Sequence, residues 1–245
     1  MQPRGFPITG SSDLCNCCGK TGFVPQDIKS FFLQGPAGRL EALLNQGSPG
    51  AMHAALVCHP HPLYGGTMHN KVVYHAMKTL HSFGFPVLRF NFRGAGLSEG
   101  EHDQGRGEVE DVRAALDWLG SEFRLPIVFC GFSFGAATGL RAACSYDRVV
   151  GIISLGTPVA VEGRVYTYEF LKYCVQPKLF LSGSRDQYSP PENLIPLVQL
   201  ASEPKELIVV DGADHFFEGH LHEMQEALRS WTARYFAAGQ AMEAG

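Results

Sequence analysis

No stretch of this chain approaches the ~20 consecutive apolar residues that a membrane-spanning helix needs, so no membrane partner is expected. Charge of either sign is scarce. Twenty Lys and Arg stand against 24 Asp and Glu in 245 residues, leaving −4 and a pI near 6.2. That balance lacks the basic footprint of a nucleic-acid binder. The first twenty residues are polar and glycine-rich, without the charged-then-apolar pattern of a secretory signal. The expected location is cytoplasmic. Paired cysteine motifs are also missing. Of seven cysteines, Cys58, Cys130, Cys144 and Cys174 lie in apolar stretches and read as small buried hydrophobes. Cys15, Cys17 and Cys18 cluster, but no second C-x-x-C or H-x-x-x-H completes a metal site. No metal and no cofactor is expected. Internal repeats, low-complexity tracts and dividing linkers are absent as well, which points to one domain over 27–245 behind an aperiodic arm at 1–26.

What is present is an alternation of short apolar runs and amphipathic stretches. Residues 28–33 and 40–44, joined by a Gly-Pro-Ala-Gly turn, read as an antiparallel hairpin. Strands are then predicted at 54–59, 86–92, 126–131, 149–155, 178–182 and 206–210. Helices are predicted at 70–83, 108–123, 136–144, 191–200 and 218–236. Continuous apolar strands alternating with amphipathic helices predict an α/β fold, with a mostly parallel eight-stranded sheet covered on both faces. In such sheets ligands bind beyond the carboxyl ends of the strands, so chemistry belongs in the loops that follow them.

The most informative of these loops is Gly131-Phe132-Ser133-Phe134-Gly135, between a predicted strand and a predicted helix. A G-x-S-x-G in that context is a nucleophile elbow, a sharp turn that lifts the serine hydroxyl out of the sheet. Serine is a poor nucleophile unless a neutral imidazole takes its proton and a carboxylate holds that imidazole in the right tautomer. Asp186 follows the strand at 178–182 and His215 follows the last strand, which gives the chain order Ser133, Asp186, His215. Each has a plainer alternative. Gly183-Ser-Arg-Asp186 is turn chemistry in its own right, and Asp214 is a rival acid that would serve equally as a cap for the final helix. His69, His75 and His81 read as surface or packing residues.

Hydrolysis through a serine also needs two main-chain N–H groups for the oxyanion, one from the residue after the nucleophile, here Phe134. The second should come from His59-Pro-His-Pro-Leu-Tyr-Gly-Gly-Thr67. Pro60 and Pro62 carry no N–H. His61 is favoured, with Leu63 and Tyr64 as alternatives, and His59 reads as a residue that ties the loop down.

These motifs, together with Arg89-Phe-Asn-Phe-Arg-Gly-Ala-Gly-Leu-Ser98 and Gly212-Ala-Asp-His-Phe216, resemble the α/β-hydrolases. They are closest to the small bacterial esterase-like branch near the dienelactone-hydrolase-type enzymes, and the resemblance runs from about residue 28 to the end. It implies a serine carboxylesterase acting on small-molecule esters of short to medium acyl length. Arg93 is then a structural residue beneath the site. The family's dienelactone hydrolases use cysteine where this chain has Ser133, so that substrate is not implied. A peptidase or amidase on the same scaffold is the alternative, and a non-catalytic binding protein a weaker one. Only about twenty residues separate the strands ending at Leu155 and starting at Lys178, enough for a short helix and not for a large lid. Tyr166, Tyr168 and Phe170 in that segment, with Tyr64 and Phe132, are the candidates for a substrate pocket, core packing being the alternative for the three in the segment. The sequence leaves room for a homo-oligomer.

Overall fold

The computed structural model describes residues 28–159, 161–164 and 166–236. The expected arm at 1–26, with Cys15, Cys17 and Cys18, lies outside the described residues. Eight strands form one sheet: β1 (Ile28–Gly35), β2 (Gly38–Asn45), β3 (Ala54–Cys58), β4 (Val87–Phe90), β5 (Ile127–Phe132), β6 (Val149–Leu155), β7 (Lys178–Gly183) and β8 (Lys205–Val210). Five helices alternate with them: α1 (Lys71–His81), α2 (Gly107–Phe123), α3 (Phe134–Ala143), α4 (Pro191–Leu200) and α5 (Leu221–Phe236). The spatial order is β1-β2-β4-β3-β5-β6-β7-β8, antiparallel at β1/β2 and β2/β4 and parallel from β4 to β8.

Strand periodicity builds the two cores. Alternate residues of a strand face opposite sides. On β5, Ile127 and Phe129 join the core beneath α2 and α3, while Val128, Cys130 and Phe132 join the one beneath α1 and α5. Trp231 of α5 and Leu116 of α2 are fully buried anchors of the two layers. Because both faces are covered, the central strands carry unbroken apolar runs. From β3 the chain crosses to β4 on one side and later returns to β5 on the other. The loops after β3 and β5 therefore diverge, and such a divergence opens a crevice at the strand ends.

Two expectations change. Asp214 does not cap α5, which starts seven residues later. Its carboxylate instead accepts from the amides of Phe216 and Glu218 at 3.0 and 2.9 Å, folding the turn after His215. Cys144 and Cys174 are not two separate small hydrophobes. They form a disulfide with Cα atoms 5.1 Å apart, joining the end of α3 to the end of the 156–174 connection. Spacing alone cannot reveal a pairing across 30 residues of chain. Among the described residues Cys58 and Cys130 are free, and both are buried. The 156–174 connection holds a single 3₁₀ turn, Glu169–Tyr173, among the described residues. No described helix is long and apolar enough to cross a membrane.

Candidate active site

Ser133 stands at the junction of β5 and α3 with φ +56° and ψ −119°, a backbone conformation that L-residues rarely hold. The flanking glycines make it achievable. A Cβ on Gly131 would lie 2.5 Å from the Gly135 carbonyl oxygen, and one on Gly135 would lie 2.5 Å from that of His59. Neither obstacle is a flexible side-chain tip, so both positions exclude larger residues. The Ser133 amide donates to the Leu155 carbonyl at 2.9 Å, anchoring the turn to β6.

His215 closes on this serine from the loop after β8. Its Nε2 lies 2.9 Å from Ser133 Oγ, and its Nδ1 lies 2.9 and 2.8 Å from the two carboxylate oxygens of Asp186. Asp186 is buried, yet its oxygens are fully engaged. They accept from the amides of Tyr188 and Ser189, both at 2.9 Å, and from the Ser182 hydroxyl at 3.1 Å. A carboxylate so held stays oriented and accepts the Nδ1 proton, which presents the Nε2 lone pair to the serine. The imidazole is caged by rings of Phe132, Tyr188 and Phe216, with centroids 5.0, 4.8 and 5.2 Å away. Gly156 completes the cage, since a Cβ there would sit 3.0 Å from the imidazole. Sequence reasoning missed Tyr188, Phe216 and Gly156. Tyr188 and Phe216 are neighbours of Asp186 and His215 in the chain, a signal that was available. Gly156 had none.

The loop after β3 is organised by His59. Buried, it donates from Nδ1 to the Pro60 carbonyl at 2.6 Å and accepts the Phe92 amide at Nε2 at 3.0 Å. Burial pushes its pKa from 6.5 to about 4, consistent with a neutral ring that needs a lone pair at Nε2. Within the loop the Leu63 amide faces His61 Nδ1 at 3.2 Å and the Tyr64 amide donates to the His61 carbonyl at 3.1 Å. Both alternatives to His61 thus have partners of their own. The main-chain amides of His61 and Phe134 have no main-chain or side-chain acceptor among the described residues. The His61 ring is 4.7 Å from that of Phe134, so the two segments are packed together. Burial first, then the Arg164 guanidinium, hold the His61 pKa down at about 4. A neutral imidazole has one lone pair, so the Leu63 amide and Arg164, which touches Nε2, compete for it.

Below the site, Arg93 grips the fully buried Asp111 through two parallel bonds of 2.7 and 2.9 Å, the structural role expected of it. The proposed pocket divides. Tyr166 and Phe170 line a cavity of about 1140 Å³ that reaches the site at Leu63 and Phe134. Tyr168 does not line it. It is buried in the core, its hydroxyl donating to the Pro158 carbonyl at 2.8 Å. Phe132 is wholly buried beneath His215, and Tyr64 is an exposed residue of the mouth. Among the described residues no three His, Cys, Asp or Glu side chains are grouped to hold a metal ion.

The model of the serine aminopeptidase S33 family (Hydrolase_4) matches residues 52–176 of this chain, about half of it and including the elbow. The chain belongs to the α/β-hydrolase superfamily. A structure of an α/β serine hydrolase homologue from Coxiella burnetii is 38% identical, with a TM-score of 0.75, covering 85% of this hydrolase and 99% of that chain. An α/β serine hydrolase without lid from Xanthomonas campestris is 31% identical with a TM-score of 0.75, covering 86% and 96%. An uncharacterized protein of Rickettsia prowazekii is 37% identical over 211 residues, 83% of this chain and 88% of its own. Solved esterases from Butyrivibrio proteoclasticus and Pyrococcus furiosus share the α/β-hydrolase fold at 16% and 17% identity.

Proposed function

We propose that this α/β-hydrolase cleaves carboxylic esters of short to medium acyl length through an acyl-enzyme, with Ser133 as nucleophile. The observation that carries the reading is the unbroken relay from Ser133 Oγ through His215 to Asp186. His215 Nε2 takes the serine proton as Oγ attacks the scissile carbonyl. Asp186 holds Nδ1–H and stabilises the imidazolium that results. The oxyanion is received by the Phe134 amide at the start of α3 and by the His61 amide. Both are fixed before substrate arrives, and fixed donors of this kind carry much of such catalysis. His215 then returns the proton to the departing alkoxide, and water repeats the sequence to free the acid. The short 156–174 connection supports open access and small ester substrates.

A peptidase or amidase reading draws on the aminopeptidase description of the matching family model. It uses the same residues, because esters and amides pass through the same kind of tetrahedral intermediate. Incubation with a fluorophosphonate probe, followed by parallel p-nitrophenyl ester and aminoacyl-amide assays, decides between the readings. Labelling of Ser133, hydrolysis of short-chain esters and loss of both in Ser133→Ala are expected. A Ser133→Ala protein with full activity, or faster turnover of amides than of matched esters, overturns the proposal.

A further inference from the structure

The cavity beside the site is charged in a way the overall composition does not suggest. The chain is net negative, yet Arg106, Arg113, Arg141 and Arg164 line this space and Glu110 is its one lining carboxylate among the described residues. Two of the arginines are neutralised locally, Arg106 by Asp103 at 3.0 Å and Arg113 by Glu110. Arg141 and Arg164 have no carboxylate within ion-pairing distance among the described residues.

Both of these are pre-positioned. One terminal nitrogen of Arg141 donates to the carbonyl and hydroxyl of Thr167 at 3.1 and 2.6 Å, and its guanidinium lies 5.4 Å over the Phe170 ring. That leaves three of its five N–H donors for a ligand. Arg164 lies over Tyr64 at 5.9 Å and reaches His61. The space between is floored by Phe134, Ala137 and Thr138 of α3 and walled by Tyr166. An apolar floor under two unpaired, oriented guanidiniums suits a short carbon chain that ends in an anion.

We propose that the preferred substrate is an ester carrying a terminal carboxylate or phosphate, received by Arg141 and Arg164. This rests on the ester-hydrolase reading and specifies its substrate class. Arg141 stands seven positions along α3 from Phe134, so their backbones are about 10 Å apart along the helix axis. Six to eight carbons span that length.

Two measurements test this, and the first does not require turnover. Calorimetric titration of Ser133→Ala protein with hexyl phosphate, heptanoate and hexanol should show both anions binding at least about tenfold more tightly than the alcohol. The preference should fall away in Ser133→Ala carrying Arg141→Gln and Arg164→Gln. It should persist with Arg39→Gln, which removes a charge from the distant hairpin. Tighter binding of the phosphate or of the carboxylate says which anion the site was built for. The second measurement compares kcat/KM for the p-nitrophenyl half-ester of suberate with that for its methyl-capped, uncharged counterpart, and 6-carboxyhexyl acetate with its methyl ester. A ratio above about ten that collapses in the double variant is expected, in the acyl-side pair or the alcohol-side pair. Equal affinity for anion and alcohol, or a preference that survives loss of both arginines, overturns the inference. Anion binding through these arginines with no ester hydrolysis at all would sink the ester-hydrolase reading instead.

Discussion

The rim that carries Ser133, Asp186 and His215 and the 156–174 connection beside it are held differently. At the rim each group is set by main-chain bonds at a strand end: Ser133 on the Leu155 carbonyl, Asp186 on the amides of Tyr188 and Ser189, the His215 turn on Asp214. The connection has one 3₁₀ turn among the described residues; main-chain bonds tie Gly156 to Leu181, Val159 to Tyr188 and Leu171 to Ser202, and side chains add the rest: Tyr168 to Pro158, Thr167 to Arg141, Cys174 to Cys144. The rim is a consequence of the sheet and is rigid with it. The exposed residues of the connection can change without disturbing the sheet, which suits them to selecting substrates. The proposed anion contacts straddle the two regions, Arg141 on α3 and Arg164 on the connection.

That contrast can be broken at either end. The largest effect belongs to the rim. Asp186→Asn keeps the shape but offers the imidazole the wrong hydrogen-bond partner, and kcat should fall about 10⁴-fold with the fold intact by circular dichroism. A loss of less than about tenfold in ester turnover would mean that Asp186 does not orient His215. Next comes the connection. Replacing Cys144 and Cys174 together by serine opens a 30-residue loop, and should cost about 4 kcal/mol in urea unfolding. Fluorophosphonate labelling of Ser133 should survive, because no rim bond depends on the disulfide. If labelling is lost with the disulfide, the two regions are not independent. The pair also bears on location, since a reducing cytoplasm keeps such thiols open; alkylation at lysis and mass spectrometry report its state in the cell.

The smallest effect sharpens the role of His59. Its folded pKa of about 4 lies below the ordinary 6.5, so the unfolded chain takes up a proton first as pH falls. Stability should be full above pH 6.5 and drop between 6.5 and 4, by up to about 3 kcal/mol for this one group. His61, half-buried with its pKa also near 4, adds in the same direction. Urea midpoints at pH 7 and pH 4.5 measure the drop, and His59→Asn should flatten it. An unchanged slope in that variant would place the titration elsewhere.

Much of this was legible beforehand because it is local. All eight strands and five helices lie within a few residues of where periodicity put them, as with the predicted 149–155 and the observed Val149–Leu155. The elbow was readable because strand, turn and helix are contiguous; for the loop after β3, proline's missing N–H excluded only Pro60 and Pro62 and left three amides as candidates. The pocket was not. Tyr166, Tyr168 and Phe170 look alike in the chain, yet the connection turns Tyr168 into the core and leaves the other two beside the cavity. Arg141 and Arg164 carry no sequence signal that they share one space.

Composition and the order of residues along the chain settled the secondary structure, the α/β class and the types of group available for catalysis, because those depend on neighbours a few residues apart. Only the tertiary structure decided that His215 reaches Ser133, that Cys144 meets Cys174, and that two unpaired arginines face one cavity. Each of those depends on a distance between segments far apart in the chain, set by how the sheet twists and how its covering helices pack.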